Sequence, residues 1–247
     1  MPDTSHKVAV ITGAGSGLGR AIALEFFDRG FNLALLDINQ RALEEVRSML
    51  SGSGRLVSIH HTDISKEDEV VAARLDILRQ HKHVDLLINN AGVFVPKPFV
   101  EYTPEDFLNV VSTNLAGFFY VSQAAARHMQ QKGGGQIITI TTTLAQQPVA
   151  GVTAALTSLT KGGLNSVTRG LAIEYVAAGI RVNAIAPGIV DTPMHKPEDH
   201  EFLKGLHPIP RLATVQEIVD AALFLARAPF ITGQVLYVDG GAQAGKW

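Results

Sequence analysis

Seven short runs of β-forming residues recur along the 247-residue chain, at 7–12, 32–37, 55–60, 84–89, 136–141, 180–186 and 234–238. Most are continuously apolar rather than alternating. An alternating strand keeps one face in water, whereas a continuous one must be covered on both sides, like a parallel strand between two helix layers. Longer segments with helical spacing separate these runs. The clearest is 214–227, where Val215, Ile218, Val219, Ala222 and Leu223 form one stripe and Thr214 with Glu217 reads as a capping box. Ser65 with Asp68, and Thr103-Pro104 with Asp106, mark two more helix starts. Gly133-Gly-Gly135 and Ser51-Gly-Ser-Gly54 read as turns before strands. The pattern predicts a single α/β domain over residues 1–247, with a doubly wound parallel sheet of about seven strands and helices on both faces. The least regular stretch, 191–212, carries four prolines. Long irregular segments in compact domains are usually functional.

Composition removes several function classes. Apolar residues make up 46% of the chain and charged residues 18%, enough for a buried core and unlike a disordered segment. Lys+Arg number 21 against 23 Asp+Glu, so no cationic field exists to hold nucleic acid. The chain has no cysteine, which excludes disulfides, thiolate zinc sites and cysteine nucleophiles. His60-His61 and His81-x-His83 lack a further ligand set, so no metal is expected. Ser158 has no Gly-x-Ser-x-Gly elbow around it, which argues against a hydrolase. The polar start runs straight into Val8, and the apolar runs at 33–36 and 221–226 fall far short of the roughly 18 residues that span a bilayer. A cytoplasmic protein with no membrane partner is the expectation.

Thr12-Gly-Ala-Gly-Ser-Gly-Leu-Gly19 follows the first strand and opens a helix at 18–28. Glycines there allow a tight turn and close approach to a pyrophosphate, while the helix N-terminus supplies N–H donors. Asp37 closes the second strand, 18 residues past Gly19. An acidic side chain there can accept from both ribose hydroxyls and would repel a 2′-phosphate, which favours NAD over NADP. A helix N-cap is the alternative role for Asp37.

The glycine spacing Gly13-x-x-x-Gly17-x-Gly19 resembles the short-chain dehydrogenase/reductase family, a Rossmann fold. So do Asn89-Asn-Ala-Gly92, Asn114, the Lys161-Gly-Gly-Leu context, Arg181-Val-Asn-Ala-Ile-Ala-Pro-Gly188 with Thr192, and Gly233-Gln-Val-Leu-Tyr-Val-Asp-Gly-Gly241. The resemblance covers essentially the whole chain. It implies a cofactor cradle of Gly13, Gly15, Ser16, Gly17, Leu18 and Gly19, with Asp37, Ile38, Asp63 and Ile64 at the adenosine end. Asn89, Ala91 and Gly92 would lie along the adenosine ribose and support the central strand. Pro187, Gly188, Ile189 and Thr192, with Lys161 on the ribose, would hold the nicotinamide end. The stretch 190–213 would be the substrate loop, with Met194, His195, Phe202, Leu206 and His207 in a mixed pocket for a small alcohol or ketone. The helix expected at 153–177 would pair subunits through Leu164, Val167 and Leu171 in a homotetramer, with the end at Trp247 in a second interface.

One position departs from the family pattern. Family chemistry uses a tyrosine four residues before the lysine, and this chain has Thr157 there, with no tyrosine between Tyr120 and Tyr175. Thr142 stands at the family's serine position, with Thr143 beside it, and the spacing to Thr157 is slightly longer than usual. Asn114 and Lys161 match. An alkanol yields its proton far less readily than a phenol, so threonine is no simple substitute. Three readings follow. The first is an NAD(H)-dependent oxidoreductase that interconverts hydroxyl and carbonyl by a proton path through Thr142, Thr157, Lys161, water, His195 or His207. The second is a catalytically silent NAD(H)-binding subunit or regulator. The third is a lyase or epimerase on the same fold.

Overall fold

The computed structural model describes residues 7–50, 54–193, 195, 198 and 200–245. Met194, Trp247 and most of the 51–54 turn therefore lie outside the described residues. Seven parallel strands form one sheet: β1 Val8–Thr12, β2 Asn32–Asp37, β3 Val57–His61, β4 Leu86–Asn89, β5 Gly135–Ile140, β6 Ile180–Pro187 and β7 Val235–Val238. Their spatial order is β3-β2-β1-β4-β5-β6-β7. The principal helices between them are α1 Gly17–Asp28, α2 Gln40–Met49, α3 Glu67–His81, α4 Pro104–Val111, α5 Phe118–Lys132, α6 Ala155–Tyr175, α7 His200–Lys204 and α8 Val215–Arg227.

The continuous apolar runs are double-faced in fact. On β1, Ala9 and Ile11 join a layer with Ile22 and Phe26 of α1 and Ile218 and Ala222 of α8. Val10 between them points the other way, into a layer with Ile77 of α3 and Val121 and Met129 of α5. Burying each such side chain is worth about 1.5–3 kcal/mol, and both faces of each central strand contribute. Because β1 pairs with both β2 and β4, the chain reverses its winding there. The crevice outside the carboxyl ends of β1 and β4 is where doubly wound sheets bind ligands.

Helix starts at 104 and 215 carry the capping boxes expected, Thr103 with Asp106 and Thr214 with Glu217. Ser65 does not cap. Its hydroxyl and N–H both turn back to Asp63 Oδ1, and α3 starts one residue later than a Ser65 cap would put it, with Lys66 as N-cap. Helix α6 is shorter than the expected 153–177. It runs from Ala155 to Tyr175, and a 3-10 turn, Val176–Ala178, carries the chain to Gly179 at φ +72°. Its expected pairing face is corrected in part. Leu164 is buried and Leu171 packs on the core, whereas Val167 is exposed, and Leu159 and Ile173 are the most exposed apolar residues of this helix.

Candidate functional site

The loop after β1 is fixed from both sides. Thr12 Oγ1 accepts the N–H groups of Asn90 and Ala91 at 3.0 and 3.1 Å. Asn90 Nδ2 returns two bonds, to the carbonyls of Thr12 and Gly13. Gly13 turns at φ +64°, and a Cβ at Gly19 would lie 2.0 Å from the Gly13 carbonyl oxygen. Only glycine lets helix and strand approach this closely. Gly15 is clamped between Asp37 Oδ2, which accepts its N–H at 2.8 Å, and Arg20, which donates twice to its carbonyl. Ser16 is the N-cap of α1 but makes no side-chain capping bond, so the first-turn N–H groups are left to a ligand or solvent. Leu18 packs against the core. This cradle suits a pyrophosphate held by backbone donors. Asn90 and Arg20 were not singled out in the sequence. The doubled asparagine was the one signal available for Asn90.

At the adenosine end, Asp37 does not cap α2. Asn39 does, accepting from Ala42 N, while Asp37 Oδ1 takes the Asn39 N–H. Each Asp37 oxygen accepts one hydrogen bond and so has acceptor capacity to spare. Ile38 beside it is 66% exposed, available to an adenine face. Asp63 is turned onto Ser65, and although burial alone would raise its pKa, these bonds and Lys66 hold it ionised below its usual range. The side chain of Ile64 points inward, where a Cβ on Gly117 would strike it at 2.6 Å. Asn89 is likewise buried, its Nδ2 donating to Ser122 Oγ, so its side chain supports the strand. Gly92 is exposed, and a Cβ there would meet Asn114 Oδ1 at 3.1 Å.

Asn114 sits in a π-helical turn, Ser112–Gly117, between α4 and α5. Its Oδ1 accepts the Val93 N–H at 2.9 Å, and its Nδ2 donates to Val93 O and Thr160 Oγ1. The side chain thus ties the loop after β4 to α6. Lys161 projects from α6 into partly buried surroundings. Among the described residues its one hydrogen-bond partner is the carbonyl of Thr141, at 3.2 Å. Burial lowers the ammonium from the usual lysine range to about 8. Lys161 also lines a small internal cavity with Thr12, Asn89, Asn114 and Thr139. In it, Asn89 Oδ1 and Thr139 Oγ1 are buried without protein partners.

The two threonines at the end of β5 separate cleanly. Thr143 is buried and donates to Asp239 Oδ2 at 2.7 Å. Thr142 is partly exposed, and its Oγ1 only accepts from Leu144 N, so its own proton is free to donate. Thr157 is 3% exposed, and its Oγ1 is buried with no hydrogen-bond partner. It does not line the cavity that reaches Lys161. His207 was a candidate proton carrier, but its ring is buried and its Nε2 accepts the Ile189 N–H at 2.9 Å, which commits it to the backbone. His195 donates its N–H to Thr192 O.

Residues 13–243 match the family described as enoyl-(acyl carrier protein) reductase. The chain is 36% identical over 243 residues to 3-oxoacyl-(acyl-carrier-protein) reductase of Chlamydia trachomatis, covering 96% of this chain and 97% of that one. The chain is a short-chain dehydrogenase/reductase. It is equally 36% identical, over 241 residues, to 7alpha-hydroxysteroid dehydrogenase of Escherichia coli K12, covering 95% and 93% of the two chains. A solved structure of the Brucella melitensis 3-ketoacyl-(acyl-carrier-protein) reductase complexed with NADH superimposes with a TM-score of 0.90. That pair is 32% identical, with 98% of this chain and all of the other covered. This short-chain dehydrogenase/reductase is an oxidoreductase of the hydroxyl–carbonyl type with a nucleotide-binding Rossmann fold. Among its described residues no helix is long and apolar enough to cross a membrane.

Proposed function

We propose that this short-chain dehydrogenase/reductase is an NAD(H)-dependent oxidoreductase of a small alcohol or ketone in which Lys161, rather than a tyrosine, exchanges the proton. The observation that carries this reading is the state of Lys161. Among the described residues its ammonium has one partner; it has lost solvation and is held at about 8, near the pH at which a general acid works well. Thr157, one turn earlier, offers only a buried alkanol.

The cofactor, when bound, gives or takes the hydride at its nicotinamide ring. The chain does the rest. Thr142, its proton uncommitted, donates to the substrate oxygen. Lys161 donates a proton to that oxygen during reduction and takes it back during oxidation. Asn114 fixes α6 against the loop after β4, which sets where Lys161 lies. Gly13, Gly15, Ser16, Gly17 and Gly19 hold the pyrophosphate, and Asp37 takes the adenosine ribose and rejects a 2′-phosphate. Residues 187–189 and Thr192 hold the nicotinamide end, and 190–213 forms the substrate loop of a single domain. Assembly is a homotetramer, with Leu159 and Ile173 of α6 on the pairing face.

The buried, partnerless Thr157 Oγ1 also supports a second reading, a silent NAD(H)-binding subunit. One experiment decides between them. The protein is titrated with NADH and NADPH, and then a panel of ketones and alcohols is followed at the nicotinamide absorbance band. NADH binding with turnover supports the enzyme, and tight NADH binding with no turnover supports the silent subunit. Tighter binding of NADPH would refute the role given to Asp37.

A further inference from the structure

Ile189 sits in the turn after β6, and both of its backbone polar groups are already used within the protein. Its carbonyl accepts the Ala213 N–H at 2.9 Å, and its N–H donates to His207 Nε2 at 2.9 Å. The His207 ring lies against the turn so closely that a Cβ on Gly188 would be 2.5 Å from Nε2 and 3.0 Å from the Asp239 Cα. Gly188 therefore has no room for any other side chain. Asp239 continues the contact in the other direction by accepting the Thr143 hydroxyl, next to Thr142. Ile209 N donates to Gly240 O, which packs the 207–209 segment onto the same C-terminal turn. Three segments distant in sequence thus meet at one imidazole.

We propose that His207 is a positioning residue for the nicotinamide end of the bound dinucleotide: by accepting the Ile189 N–H it holds the 187–189 turn against the 207–213 segment. The inference rests on the NAD(H) reading above. His207 touches neither cofactor nor substrate; it acts through the turn. The bond requires a neutral ring with its lone pair on Nε2, since a doubly protonated ring has only donors. The charged groups facing it are Asp239 and Arg211, and burial outweighs Asp239 in keeping the ring neutral.

The test compares NADH with ADP-ribose, which shares every part of the ligand except the nicotinamide ring. Binding of both is measured by calorimetry for the wild type, His207→Ala and His207→Gln. His207→Ala should weaken NADH by about tenfold or more, in line with loss of a buried hydrogen bond, and move ADP-ribose by less than about twofold. His207→Gln, whose side-chain carbonyl can accept the same N–H, should recover most of the loss. If His207→Ala fails to fold, His207→Leu fills the same space without an acceptor, and it should lose NADH selectively where His207→Gln keeps it. Equal weakening of both ligands, or no difference between the leucine and glutamine variants, would each overturn the proposal. A wild type that bound neither ligand would refute the dinucleotide reading itself, which separates the two failures.

Discussion

The proton path makes a sharp claim about pH. With Lys161 at about 8, the fraction carrying the transferable proton falls to about a tenth at about pH 9 and to about a hundredth at about pH 10. A lysine at its ordinary value of about 10.4 would still be almost fully protonated at about pH 9. The lowering has one physical cause, desolvation, and nothing nearby adds to it: the lone hydrogen bond runs to the carbonyl of Thr141. Single-turnover carbonyl reduction with NADH already bound should therefore drop about tenfold per pH unit above about 8, while oxidation rises over the same range. Lys161→Arg gives the control, because guanidinium stays protonated. Its rate should be lower and flat across that range. A wild-type profile level to about pH 10 would refute the lysine as donor, and a break near pH 6.5 would transfer the role to a histidine.

Other perturbations follow from named contacts. Gly19→Ala places a methyl 2.0 Å from the Gly13 carbonyl, so strand and helix must part. The expected cost is about 1–3 kcal/mol in thermal unfolding together with loss of NADH binding, and normal binding would show that this loop is not the phosphate cradle. Asp37→Ser removes a carboxylate that would repel a 2′-phosphate by about 4 kcal/mol at contact. The ratio of NADPH to NADH affinity should rise at least about tenfold, and an unchanged ratio would contradict the assignment. Ser58 Oγ lies 2.7 Å from Nε2 of both His60 and His81 in a buried cluster beside Asp76. Burial, with smaller contributions from His60 and His83, lowers His81 to about 4, below the unfolded value, so stability is full above about pH 6.5 and falls as pH drops toward 4. About 3 kcal/mol should be lost over that window, and Ser58→Ala should cost about 1–3 kcal/mol at neutral pH by stranding both rings. Urea unfolding at several pH values checks both, and a flat acid profile would contradict the buried-neutral assignment.

The strands were legible because a continuous apolar run between polar turns has few other uses. β2 falls on 32–37 as read, and the remaining strand ends lie within two residues of the reading. Ser65 was misread because local spacing cannot show that Asp63 captures it first. The glycine turn was legible from one motif, although Asn90 and Asp37, distant in sequence, help to hold it. The redox end was not. Thr142 and Thr143 are adjacent and identical in type, and only Asp239, 96 residues further on, commits one of them. His207 read as a candidate proton carrier because its partner, the Ile189 N–H, carries no side-chain signature. Leu164 was expected on the pairing face from the family resemblance, yet it is buried within the subunit. In each case a tertiary contact decided what residue type and spacing left open.

Hydride transfer itself is the claim most exposed to test. NADH deuterated at the reactive ring position is incubated with the protein and a panel of small ketones, and the products are read by mass spectrometry. Deuterium is expected on the carbinol carbon of at least one product, with the label rate falling above about pH 8 as Lys161 loses its proton. Saturated NADH binding with no label in any product would contradict it and leave the chain a dinucleotide-binding subunit.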